Sequence, residues 1–89
     1  MEGWQVRTVD GDTFRYGTDR IRIRGYNAPE LSEPGGREAA IRLEQLMQTG
    51  PINIVPHGHD VYGRTLADVF VNGQNVADVM MEEGYGRRG

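Results

Sequence analysis

The sequence predicts a small, mainly β (α+β) domain of five strands, with one helix between the third and fourth strands and a short helix near the C-terminal end. Three observations carry that expectation. Short strand-like runs dominate the early part of the chain, and Arg20-Ile21-Arg22-Ile23-Arg24 alternates strictly. Residues 37–48 carry apolar side chains at helical spacing. Turn formers, Asp10-Gly11-Asp12, Gly50-Pro51 and Asn72-Gly73, punctuate the boundaries. Length sets the frame, because 89 residues suit a single domain spanning residues 1–89. Area scaling lets such a chain bury only about 64% of its unfolded surface. With no cysteine, neither a disulfide nor a thiolate metal site can reinforce that thin core.

The elements follow in order. Residues 4–9 and 13–16 read as strands around Asp10-Gly11-Asp12, a turn in which the glycine is expected to accept positive φ and the aspartates to support the bend. This is a hairpin with acids at its tip. The alternation at residues 20–24 puts Ile21 and Ile23 on a buried face and Arg20, Arg22 and Arg24 in a row on the other. Residues 17–19 are few enough to return the second strand against the third, giving a three-stranded meander. Asn27-Ala28-Pro29-Glu30 ends the pairing, since proline lacks the amide donor. After a loop at residues 31–36, Ala39, Ala40, Leu43, Leu46 and Met47 share one helical face, and Gly50-Pro51 should stop that helix with glycine in the left-handed position. A strand is expected at residues 52–55, a loop at 56–63, and a strand at 65–71 that is apolar on both faces and so central. Asn75 can cap a last short helix in which Val76, Val79 and Met80 face inward, ended by Gly84. The pattern matches a five-stranded, partly open barrel of the OB type.

Charge excludes some classes of function. Ten basic groups, all arginine, stand against thirteen acidic ones, for a net charge of −3. That balance argues against non-specific coating of nucleic acid but leaves room for a local phosphate site. No targeting signal opens the chain, and no apolar stretch approaches the roughly 20 residues a bilayer span needs, so no membrane role is expected. A removed leader would make the protein secreted or envelope-associated; otherwise it would be cytoplasmic.

Four polar clusters fall at element ends. Asp10 and Asp12 can direct oxygens to a hard cation, or can be plain turn chemistry. Arg20, Arg22 and Arg24 form either a phosphate clamp or a solvated face paired with acids. Asn27 and Glu30 bracket Pro29, where a glutamate could act as a general base. Asp60-Val61-Tyr62-Gly63-Arg64 offers a ring to stack a base and a guanidinium to hold a phosphate, or an ordinary turn into a strand. His57-x-His59 with Asp60 has the ligand types for zinc, but a Gly/Pro loop gives it no fixed geometry.

The order of these motifs, Val9 to Thr13, Arg22 to Glu30, Gly36 with Ala39, Asp60 to Arg64, and Val71-Asn72-Gly73 leading into Val76 and Gly84-Tyr85, resembles the staphylococcal nuclease (thermonuclease, SNase-like) family over nearly the whole chain. The resemblance implies an OB barrel and a calcium-dependent phosphodiesterase, an endo- or exonuclease that hydrolyses DNA and RNA to 3′-phosphate and 5′-hydroxyl products. It implies Asp12 and the backbone carbonyl of Ala28 as Ca2+ ligands, with Asn27 at a third ligand position. It implies Glu30 as the base that activates water, and Arg22 and Arg64 as the groups that hold the scissile phosphate. Tyr62 would contact a further phosphate, Arg24 would extend the track, and Asp10 would support Asp12 from behind. The expected substrate is DNA or RNA, single-stranded by preference, and the expected state is a monomer.

The sequence departs from the family pattern in three places. Asn27 stands where a carboxylate is usual, which removes a charge and should weaken calcium binding. Val61 replaces a frequent lysine or arginine. The chain also stops after the second helix, so the family's third helix is expected to be absent. These departures leave two alternatives: a catalytically weak or inactive OB module that binds nucleic acid or a protein partner, and a barrel core with a purely structural role.

Overall fold

The computed structural model describes residues 6–89. Trp4 and Gln5, where the first strand was expected to begin, lie outside them. β1 (Val6–Thr8), β2 (Thr13–Tyr16) and β3 (Asp19–Ile23) form the expected antiparallel meander, with Phe14 opposite Ile21. Alternation works as predicted on β3, where Ile21 and Ile23 are buried and Arg20 and Arg22 are not. β3 then runs parallel to β6 (Thr65–Val71), which pairs antiparallel with β5 (Ile52–His59). Parallel neighbours need a long crossover, and α1 (Gly36–Met47) lies within it. Its buried side chains, Ala39, Leu43, Leu46 and Met47, join Phe14, Ile23 and Val69 in one core. Full burial of a Leu or Phe side chain contributes roughly 1.5–3 kcal/mol, so this shared core holds helix and sheet together.

The sheet order is β1-β2-β3-β6-β5, with β7 (Gln74–Asn75) also on β6. The mainly β, α+β class of the expectation holds. β6 is central, as its two apolar faces predicted, with Ala67, Val69 and Val71 buried. No ladder joins β1 to β5 among the described residues, so the sheet is open and mixed and does not close into a barrel. α2 (Val76–Glu82) starts as expected: the Asn75 side chain accepts from the Asp78 amide at 3.3 Å, and Gly84 beyond its end has φ +82°.

Some local expectations are corrected. Residues 56–59 are strand, not loop. Pro56 pairs with Ala67 on an edge strand, where its missing amide costs no ladder bond, and the register shifts between Pro56 and His59 around Gly58 at φ +104°. Three short strands went unforeseen: β7, which pairs with β6, and β4 (Tyr26–Asn27) and β8 (Arg87–Arg88), which pair antiparallel as a separate ladder. Gly11 and Gly50 are not left-handed. A Cβ on Gly11 would fall 2.6 Å from the Ala28 Cβ and 2.7 Å from the Ala39 Cβ, and one on Gly50 would fall 2.0 Å from the Asn72 Oδ1. Both glycines are required for close approach between distant segments. They do not set a turn conformation.

Candidate functional site

The meander, the start of β4 and the β5–β6 turn meet around a cavity of about 390 Å³ lined by Arg22, Arg24, Asn27, Asp60, Tyr62 and Arg64, among others. Asp12 lies beneath it, only 8% exposed. A carboxylate that deep needs compensation, and it has three partners. Thr13 Oγ1 donates to Oδ1 at 3.1 Å, the Ala28 amide donates to Oδ2 at 3.0 Å, and Arg22 Nη2 is 3.5 Å from Oδ2. Arg22 is in turn fixed from several sides. Its Nη1 donates to the carbonyls of Ile23 and Tyr26, the latter at 3.0 Å, and its Nη2 donates to Asn27 Oδ1 at 2.5 Å. Asn27 therefore orients Arg22 directly.

Arg64 is held by a separate device. Asp60 Oδ1 accepts from the amides of Tyr62 and Arg64, both at 2.9 Å, closing the turn, while Oδ2 accepts from Arg64 Nε at 2.6 Å. Burial pushes the Asp60 carboxyl up, but the two amides and the guanidinium outweigh it, and the group sits below its usual range. Arg64 Nη1 reaches Thr13 Oγ1 at 3.3 Å, and its guanidinium carbon lies 5.5 Å from the centre of the Tyr62 ring. Thr13 thus links Asp12 to Arg64, so that both guanidinium groups are referred to one buried carboxylate. Thr13 closes the Val9–Thr13 motif, but its role was not legible there, because the link to Arg64 spans 51 residues.

The other expected residues are placed differently. Glu30 lies in the loop before α1, exposed, and does not line the cavity. Its backbone is nonetheless fixed: its amide donates to Glu33 Oε1 at 2.8 Å, and a Cβ on Gly36 would fall 1.8 Å from its carbonyl oxygen. Asp10 accepts the Asp12 amide at 3.1 Å, and burial, with its Asp12 neighbour, raises its pKa. Arg24 lines the cavity but pairs with Asp68 at 3.7 Å. His57 also binds Asp68, at 2.8 Å, while Asp60 serves Arg64, so the residues weighed for zinc are not brought together. Among the described residues, no three His, Cys, Asp or Glu side chains cluster as a metal site. Asp12, Asn27 and the Ala28 carbonyl offer oxygen donors only, the class a hard cation takes, with a single negative charge among them. The donor type suits calcium, but the ligand charge is low and Asn27 Oδ1 already accepts from Arg22.

Residues 20–88 match the family model described as staphylococcal nuclease homologue. The chain belongs to the staphylococcal nuclease family. The chain is 32% identical to the probable staphylococcal-like nuclease CAN1 of Oryza sativa subsp. japonica, over 90% of this chain and 24% of that protein. It is 31% identical to the SPbeta prophage-derived endonuclease YokF of Bacillus subtilis (strain 168), over 91% of this chain and 32% of that one. With the endonuclease YncB of the same organism it shares 30%, over 91% and 44% respectively. The chain spans less than half the length of these relatives. In this staphylococcal nuclease family member, the matched segment contains all of the cavity lining except Gly89, the Asp60–Arg64 turn and β8, while Asp12 and Thr13 precede it.

Proposed function

We propose that the chain is a calcium-dependent phosphodiesterase that cleaves single-stranded DNA or RNA to 3′-phosphate and 5′-hydroxyl ends. The observation that carries this reading is the pair of guanidinium groups, Arg22 and Arg64, tied to one Asp12–Thr13 unit and facing one cavity. In-line attack on a phosphodiester builds negative charge on the equatorial oxygens, and preorganised guanidinium donors stabilise that charge. Arg64 Nη2 has no protein partner among the described residues and is available to the phosphate. Tyr62, 69% exposed at the rim, is placed to meet a neighbouring nucleotide. Glu30 is assigned the proton of the attacking water; the new P–O bond forms as the bond to the 5′ oxygen breaks, and that oxygen takes a proton from solvent water to leave as the 5′-hydroxyl. Calcium, held by Asp12, Asn27 and the Ala28 carbonyl with Asp10 behind, would supply further charge neutralisation at the phosphate.

The relatives named as nucleases support this reading, and so does the oxygen-only donor set. One observation favours a second reading, a module that binds nucleic acid without cutting it: Glu30 is exposed and outside the cavity lining. The test is release of acid-soluble nucleotides from single-stranded DNA with calcium or with chelator. Calcium-stimulated release is expected, falling roughly 10²-fold or more in Glu30→Gln, as loss of a general base does. Tight binding without release, indifferent to calcium, decides for the second reading.

A further inference from the structure

Beside the Arg22–Arg64 cavity lies a larger one, of about 780 Å³, lined by the loop before α1 on one side and by residues 84–88 on the other. The two cavities share Asn27, and they meet at β8, with Arg87 and Arg88 lining the larger and Gly89 the smaller. β8 is fitted closely to its neighbour. A Cβ on Gly86 would fall 2.6 Å from the Tyr26 ring, and one on Gly89 would fall 2.1 Å from Asn27 Nδ2, so only glycines on either side let the two arginines lie against β4. Both arginines are exposed, and neither has a side-chain partner among the described residues. Tyr85, half-buried, adds an aromatic ring to the same wall. Glu33 and Glu38 stand in the lining too, on the loop and on α1.

We propose that this second cavity is a subsite for the continuing polynucleotide strand, with Arg87 and Arg88 holding phosphates and Tyr85 offering a face to a base. The inference rests on the phosphodiesterase reading, because its occupant is the strand whose scissile phosphate sits between Arg22 and Arg64. The glutamates on the opposite side repel phosphate, which places the backbone of the strand along β8. A sequence-independent hold of this kind combines charge with stacking.

The experiment compares Arg87→Gln/Arg88→Gln with wild type on single-stranded DNA of 3 and 15 nucleotides. Because Arg7 and Arg15 are exposed cross-strand partners on β1 and β2, Arg7→Gln/Arg15→Gln removes the same charge elsewhere and serves as the control. The expected result is a KM for the 15-mer raised about tenfold, with kcat within twofold and the 3-mer unchanged. The salt slope for the 15-mer should also fall by about 1.4, the value for two lost phosphate contacts on a single strand. Equal effects on both lengths, or the same loss in the control, overturn the subsite while leaving the nuclease reading intact. If wild type cuts neither substrate, that reading fails, and anisotropy of the labelled oligonucleotides on the Glu30→Gln variant still decides the subsite. Length-dependent weakening by the Arg87/Arg88 change upholds it; length-independent binding, or none, overturns it.

Discussion

Asn27 shows how much a single residue's surroundings decide. The proposed calcium site takes it with Asp12 and Ala28 as an oxygen donor, whereas in the structure its Oδ1 accepts from Arg22 at 2.5 Å. Substituting Asn27→Asp keeps that acceptor and adds a charge, so two effects should appear together. The midpoint of a calcium titration of nuclease activity should shift to lower concentration, by about tenfold if the added carboxylate contributes about 1.4 kcal/mol at the ion. Arg22, now ion-paired, should stay in place. An unmoved midpoint would remove Asn27 from the proposed metal site. At this scale the sequence was legible where chemistry is local. The Asp60–Arg64 turn, the Asn75 cap and the buried isoleucines of β3 were all visible in short stretches. Thr13, Gly11 and Gly50 were not, because each does its work against a residue far away in the chain: Arg64, Ala39 and Asn72.

Elements are held to one another by devices that the pattern of apolar residues does not reveal. Arg42 on α1 grips Glu83, just past α2, through two hydrogen bonds of 2.6 and 2.9 Å. The Arg42 bond holds the Glu83 carboxyl below its ordinary value of 4.5. A depressed carboxyl stabilises the fold above its unfolded pKa, and that contribution is lost as pH falls through the folded value. Arg42→Ala should therefore lower Tm at pH 7, and the gap from wild type should narrow steadily below about pH 4.5. A gap that stays constant down to pH 3 would show that Arg42 acts by packing alone. The strands illustrate the same boundary of legibility. β3 and β6 announced themselves by composition, whereas β5 was cut short on paper because Pro56 and Gly58 look like loop. β4 and β8, two residues each, have no periodicity to detect, and their pairing joins positions about sixty apart.

For the whole molecule, an acidic chain concentrates its positive charge. Arg22, Arg24 and Arg64 line one cavity and Arg87 and Arg88 the other, so five of the ten arginines stand around two adjoining cavities. A ligand bridging that region should stabilise the fold, since it binds the native state and not the open chain. Calcium with a nucleotide 3′,5′-bisphosphate at about 100 times its Kd should add about 2.7 kcal/mol, which raises Tm by about 10 °C or more in a domain this small. A Tm unmoved by the pair at millimolar concentration would argue for a purely structural domain.

The ladder between β4 and β8 also bears on when the protein comes into being. During synthesis Asn27 leaves the ribosome well before its β8 partner, which is encoded some sixty residues later. A nascent chain therefore holds no finished larger cavity until β8 has emerged and paired with β4.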